Sequence, residues 1–270
     1  MKTGIIGYGS MGRMMLWKFS EAGNVSRQDL YVSNRTPDKV QEAIGIAQIT
    51  TNTELAQNAD MIFVCVRPVD LKHVIEEIAD TVSQDALVVS LNGSVSFDSM
   101  HKVIDCRMAK VIPSLTAEIG RSQTLVCFDE GVEQDKKDAL TDLLKCIGDV
   151  IELPEDEMGM GSELVSCMPG FIASIFDVIC NSAEGHTDIP RDMIVKMVLS
   201  TISATGDLML SKDMTFDEVV TRVATKGGIT EEGTRVVYEG FPKTADLLFE
   251  KTLEKRRLTT ERAEKIFSGQ

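Results

Sequence analysis

Histidine is scarce in this chain, with three in 270 residues, at positions 73, 101 and 186. They are isolated, and no spacing among them suits a metal. His73 and His101 fall in helical stretches and read as surface or packing residues, so none is assigned proton transfer. Six cysteines are present, yet none form Cys-x-x-Cys. They read as small buried hydrophobes in a reducing compartment, so the expected location is the cytoplasm. No uninterrupted apolar run reaches the ~20 residues of a membrane span. No charged-then-apolar leader precedes the first strand, so no secretory signal is expected. Basic residues are also in deficit: 28 Lys and Arg face 42 Asp and Glu, for a net charge of −14. That balance argues against nucleic acid and anionic membrane as partners. No Ser/His/Asp or Cys/His arrangement stands out. Repeats, linkers and low-complexity segments are missing too.

What is present begins at once. Ile5 and Ile6 form a short apolar run that feeds into Gly7-Tyr8-Gly9-Ser10-Met11-Gly12. A helical pattern follows from Met11 to about Glu21. Glycines at this spacing let a strand turn sharply, let backbone approach a pyrophosphate, and let helix pack close to strand. The phosphates then sit on free N–H groups at the helix start. The bland alternative is an ordinary glycine-rich turn, but the strand before and the helix after favour a dinucleotide site.

The second strand is expected at Asp29–Ser33. An NAD enzyme usually ends that strand with Asp or Glu, for the adenosine ribose hydroxyls. Here the residues are Ser33-Asn34-Arg35-Thr36. A guanidinium can grip a 2′-phosphate bidentately, whereas a carboxylate would repel it. The reading favours NADPH, with NADH possible. Arg35 could instead be a solvated loop arginine. Asn34 and Thr36 could form a helix N-cap before Pro37.

Strand and helix signals alternate through the first 150 residues. Asp60–Val66 and Ala86–Leu91 are continuous apolar runs of the kind seen in doubly covered parallel strands. A short helix is expected at Asn52–Asn58, a longer one at Val69–Thr81, and an amphipathic one at Glu133–Ile147. This is the βαβα pattern of a doubly wound sheet. The texture changes at Pro154, beyond which only helices are expected. The division is therefore residues 1–153, a dinucleotide-binding Rossmann domain, and 154–270, an all-helical domain. Two helices of the second half, Phe171–Cys180 and Met193–Leu199, are apolar nearly all round and demand burial. A small domain cannot hide both, so the expected assembly is a homodimer or higher homo-oligomer. The run Glu254–Arg257 reads as a solvated helix end.

The sheet places chemistry at the carboxyl ends of its strands. The loops there are Cys65-Val66-Arg67-Pro68, Leu91-Asn92-Gly93 and Ile112–Ala117. They would flank a nicotinamide, and none supplies an obvious acid–base pair. Hydride transfer needs positioning above all, and an imine that arrives protonated needs no strong acid. A second candidate is Lys226-Gly-Gly-Ile-Thr-Glu-Glu-Gly233. Its N–H groups near Ile229 and Thr230 could hold a carboxylate. Read alone, it is also a plain capping sequence with Thr230 as N-cap.

Taken together, these segments resemble the pyrroline-5-carboxylate reductase family over nearly the whole chain. The carriers are Gly7–Gly12, Asn34-Arg35-Thr36, Val66-Arg67-Pro68, Ile112-Pro113, Val165–Phe171 and Lys226–Gly233. The resemblance implies a Rossmann domain followed by a helical dimerisation domain. It implies NAD(P)H-dependent reduction of the ring imine of pyrroline-5-carboxylate to proline. It places Gly7–Gly12, Asn34, Arg35, Thr36, Asn52, Cys65–Pro68 and Leu91–Gly93 at the coenzyme. It gives Thr230 the ring nitrogen and Gly228, Ile229 and Thr230 the substrate carboxylate, reaching over from the partner subunit. Four segments depart from the family pattern, all beside the expected substrate pocket: Asn92–Ser94, Ile112–Ala117, Val165–Phe171 and Lys226. The chain thus looks like a divergent branch, similar to reductase-like proteins of competence operons. Reduction of another small imine or carbonyl, or a non-catalytic dinucleotide-binding role, are the alternatives.

Overall fold

In a computed structural model, described for residues 1–269, the first strand β1 (Thr3–Ile6) is buried along its whole length. It runs parallel to β2 (Leu30–Ser33) on one side and, on the other, to β4 (Met61–Val64). A short β3 (Gln48–Ile49) flanks β2, while β5 (Leu87–Ser90) and β6 (Arg107–Ile112) extend the far side. Strand β7 (Ser122–Phe128) is antiparallel to β6, and β8 (Gly148–Glu152) is parallel to β7. The order is 3-2-1-4-5-6-7-8. The chain reverses its winding direction between β1 and β4, and a doubly wound sheet opens its ligand crevice at that point.

Alternation along the strands splits the core in two. Ile5, Met61, Phe63, Leu87, Val89, Ala109 and Val111 face one side with α1 (Ser10–Glu21) and α5 (Gln134–Leu144). Ile6, Ile62, Val64, Val88 and Met108 face the other, with α2 (Asn52–Asn58), α3 (Pro68–Ile78) and α4 (Phe97–His101). Period-two side chains buried on both faces explain the uninterrupted apolar strands. Each full turn of apolar spacing in α3, Leu71, Val74, Ile75 and Ile78, meets the sheet.

The helical remainder departs from the expected division at 153/154. Its first elements, α6 (Met158–Ser162) and a π-helical stretch, Glu163–Cys167, pack with the sheet. One unit consists of Met1–Pro169 together with the chain from Leu253 onward; the other is Gly170–Thr252. The last helix, α11, runs over Pro242–Ser268, well beyond the end expected near Glu254–Arg257. Its end carries Ala263 and Phe267 into the same core as Leu71 and Met100, and Lys72 Nζ donates to the Ile266 carbonyl at 3.0 Å. The expected solvated end, Glu254–Arg257, is instead mid-helix. Arg256 donates to the buried Glu163 carboxylate at 2.7 Å from Nη2 and 3.0 Å from Nε. Arg257 stays outside, paired with Glu254 and Glu261.

The second unit holds most of α7 (Met168–Glu184), then α8 (Arg191–Lys212), α9 (Phe216–Val223) and α10 (Ile229–Gly240). In the single chain, α7 and α8 bury one residue each, Cys180 and Ile194. Val178, Met193, Met197 and Leu199 are exposed. Two helical stretches, Glu155–Glu184 and Arg191–Lys212, are long and apolar enough to cross a membrane, with mean hydropathies of 1.6 and 1.4. Uninterrupted runs miss them because charges such as Asp177 and Lys196 break each one.

Candidate coenzyme cleft and the glycine-threonine loop

The loop after β1 uses its three glycines differently. Gly7 has φ +99°, and a Cβ there would lie 2.7 Å from the Cys65 carbonyl. Gly12 brings α1 down onto the loop, since a Cβ there would lie 2.0 Å from the Gly7 carbonyl oxygen. Gly9 has neither constraint: its backbone is extended, and a Cβ would meet no protein atom within 4 Å. Glycine at position 9 therefore leaves room for a group from outside the chain. Helix α1 begins directly after it, with no side-chain cap and no acid in its first turn. Its leading N–H donors are open to an anion. The arrangement fits a coenzyme pyrophosphate.

The loop after β2 is braced against the first. Gly7 N–H donates to the Ser33 carbonyl at 2.9 Å, and Tyr8 N–H to Asn34 Oδ1 at 2.9 Å. Asn34 Nδ2 donates to the Thr36 carbonyl at 3.0 Å. The capping role expected of Asn34 and Thr36 is not made. Thr36 precedes a 3₁₀ turn, Pro37–Ala43, but no side chain caps it. Asn34 spends its Oδ1 joining the two loops and its Nδ2 bracing its own loop. Asn52, the first residue of α2, accepts from Ser33 Oγ at 2.6 Å and donates to Glu77 Oε2 at 2.7 Å.

A cleft of about 730 Å³ runs along the carboxyl ends of β1, β2 and β4. It brings together Gly7, Tyr8, Gly9, Asn34, Arg35, Thr36, Asn52, Cys65, Val66 and Arg67. Sequence reading missed Asp70 and Glu77, which line it from α3, and took the cleft residue His73 for surface or packing. The Asp70 carboxyl is held below its ordinary range, chiefly by the hydrogen bond from Arg67 and then by the charges of Arg67 and Arg35. Burial pushes the thiol of Cys65 and the phenol of Tyr8 up, so both keep their protons at neutral pH. Neither is a nucleophile there.

Ser10, Met11, Gly12 and Pro68 stand behind the lining, in the first turns of α1 and α3. Leu91, Asn92 and Gly93 follow β5, one strand along from β4, and are also outside the lining. Asn92 is 4% exposed, its Oδ1 accepts from Ser94 N–H at 3.0 Å, and its Nδ2 has no partner. An unpaired buried amide costs roughly 1–3 kcal/mol. A polar group placed there would relieve that cost.

Gly228, Ile229 and Thr230 come together at the start of α10 in the helical unit. Gly228, not Thr230, is the N-cap, and Thr230 is the second helical residue. The shift has a local cause. Gly227 takes φ +74°, and Gly228 packs so close to Thr225 that a Cβ would lie 2.6 Å from Oγ1. Gly227 N–H donates to Glu231 Oε2 at 2.6 Å, which ties the turn to the helix's first residues, and no side chain caps the helix itself. The Thr230 hydroxyl makes no cap.

Comparison with known proteins gives a consistent result. Residues 2–93 match a family model described as NADP oxidoreductase, coenzyme F420-dependent. Residues 155–258 match one described as pyrroline-5-carboxylate reductase dimerisation. Pyrroline-5-carboxylate reductase 3 of Bacillus subtilis is 29% identical, over 98% of each chain. ComE operon protein 4 of the same organism is 25% identical, over 93% of this chain and 94% of its own. Among solved structures, the NADP-bound pyrroline carboxylate reductase of Plasmodium falciparum superposes with a TM-score of 0.85 at 19% identity. It covers 96% of this chain and 98% of its own. A Rossmann-type match at the front, a dimerisation match behind and relatives alignable end to end lead to one conclusion: the chain belongs to the pyrroline-5-carboxylate reductase family of NAD(P)H-dependent oxidoreductases.

Proposed function

We propose that this protein reduces pyrroline-5-carboxylate to proline with NADPH, as a cytoplasmic homodimer serving proline synthesis. The observation that carries the coenzyme half is the cleft. Its floor is the Gly7–Gly9 loop, with open space at Gly9, and its rim is Arg35. Asn34 and Asn52 hold the rims in register, and the loops Cys65–Pro68 and Leu91–Gly93 continue toward the nicotinamide end. The coenzyme supplies the hydride. In the helical half, the N–H groups of Gly228–Thr230 would hold the substrate carboxylate, and the Thr230 hydroxyl would bond the ring nitrogen. Cys65 and Tyr8, which line the cleft, both retain their protons at neutral pH and do not serve as acids there. That suits an imine that binds already protonated. Exposed apolar residues on α7 and α8, within the stretch matching the dimerisation model, support the dimer. Six unpaired cysteines suit a reducing compartment.

Purified protein mixed with NADPH and pyrroline-5-carboxylate should lose reduced-coenzyme absorbance and form proline. No turnover at millimolar substrate, with NADPH still bound, would defeat the proposal. One observation favours a second reading. ComE operon protein 4 aligns over nearly the whole chain, and the departures from the family pattern all lie beside the expected substrate pocket. Reduction of another small imine, or coenzyme binding without turnover, follows if a proline auxotroph is not rescued.

A further inference from the structure

Two guanidinium groups at the rim of the cleft share one carboxylate. Arg35 Nη1 lies 3.4 Å from Asp70 Oδ1, and Arg67 Nε donates to Asp70 Oδ2 at 2.8 Å. Arg35 comes from the end of β2, Arg67 from the end of β4, and Asp70 from the first turn of α3. The arginine side chains are 82% and 70% exposed and that of Asp70 is 28% exposed. The carboxylate is the inner member, and the cations stand at the water's edge. Lys39, His73 and Glu77 face the same cleft, and Glu77 is engaged by Asn52. Strand β2 itself ends without an acid, so the anion reaches Arg35 from a neighbouring helix instead.

A carboxylate in that position occupies the donor forks that a phosphate would use. It would also face a bound phosphate as a like charge. We infer that Asp70 is a selectivity residue, standing in for the 2′-phosphate of NADPH between Arg35 and Arg67 and thereby lowering the preference for NADPH over NADH. This rests on the reading of Arg35 as the 2′-phosphate ligand. Ion pairs this exposed are weak, so the phosphate displaces the carboxylate, at a cost of roughly two- to fivefold in affinity.

The test is Asp70→Asn in the full-length protein, titrated with NADPH and NADH by coenzyme fluorescence. The Kd for NADPH should fall roughly two- to fivefold, with NADH unchanged. Added salt should narrow the difference between variant and parent. Unchanged or weaker NADPH binding overturns the inference. So does a loss confined to NADH, which would make Asp70 an acceptor for the ribose hydroxyl. Arg35→Ala separates the two layers: equal loss of both coenzymes would refute the reading of Arg35 itself. In the Arg35→Ala background the gain from Asp70→Asn should shrink, and an undiminished gain would show that Asp70 does not act through Arg35. If Asn at position 70 lowers the melting temperature, Asp70→Ser repeats the measurement.

Discussion

A methyl group at position 9 would project into open cleft, whereas one at position 12 would strike the backbone of Gly7. The two glycines should therefore fail differently. Gly9→Ala should keep its melting temperature and lose coenzyme affinity, on the order of tenfold or more. Gly12→Ala should lose about 1–3 kcal/mol of stability through overpacking. Thermal melts and coenzyme titrations on both variants check this. A stable Gly12→Ala, or a Gly9→Ala that binds normally, would contradict it. Thr230→Ala should lower turnover while NADPH affinity stays nearly intact, as kinetics and binding measured together would show. Glycine spacing was legible in the sequence because an apolar strand precedes it and a helical pattern follows it directly. Asp70 and Glu77 were not, because their place in the cleft depends on where α3 lands once β1 and β4 pair. The N-cap of α10 was misplaced by two positions, since residue type alone does not reveal that Gly228 closes on Thr225.

At the scale of elements, the strands and the helices around them follow the apolar pattern to within a few residues. Helix α2 runs over the expected Asn52–Asn58, and α3 begins one residue before the expected Val69. The errors lie where a charged run hides a buried face. Glu254–Arg257 looks like a frayed end, yet Arg256 turns inward to Glu163 and Phe267 lies in the core, one turn beyond Ala263. Phe267→Ala should cost about 3–5 kcal/mol by leaving a cavity under α3. Denaturant unfolding measures it, and a loss within error of zero would show that the terminal turns are not held. The π-helical stretch Glu163–Cys167 was equally unreadable. It overlaps the departing segment Val165–Phe171 at Val165–Cys167, and a buried acid at its first position is tolerable only because Arg256 reaches it.

For the whole molecule, the decisive fact is the apolar surface of the second unit. Val178 is 66% exposed and Leu199 58% in the single chain. Exposed apolar faces of this kind mark interaction surfaces. The protein should elute at twice the 29.6 kDa of one chain or more. Val178→Asp or Leu199→Asp should yield monomers that bind NADPH but do not turn over. A parent chain that sediments as a monomer at micromolar concentration would refute the assembly.

The return of α11 bears on how the protein is made. During synthesis, the sheet and its helices leave the ribosome long before Ala263 and Phe267 do. Until those residues emerge, the patch they cover, around Leu71 and Met100, stays wet and sticky. The nascent chain must keep that patch from straying onto neighbours, so losing the turn that carries Ala263 and Phe267 would strike the half of the protein made first.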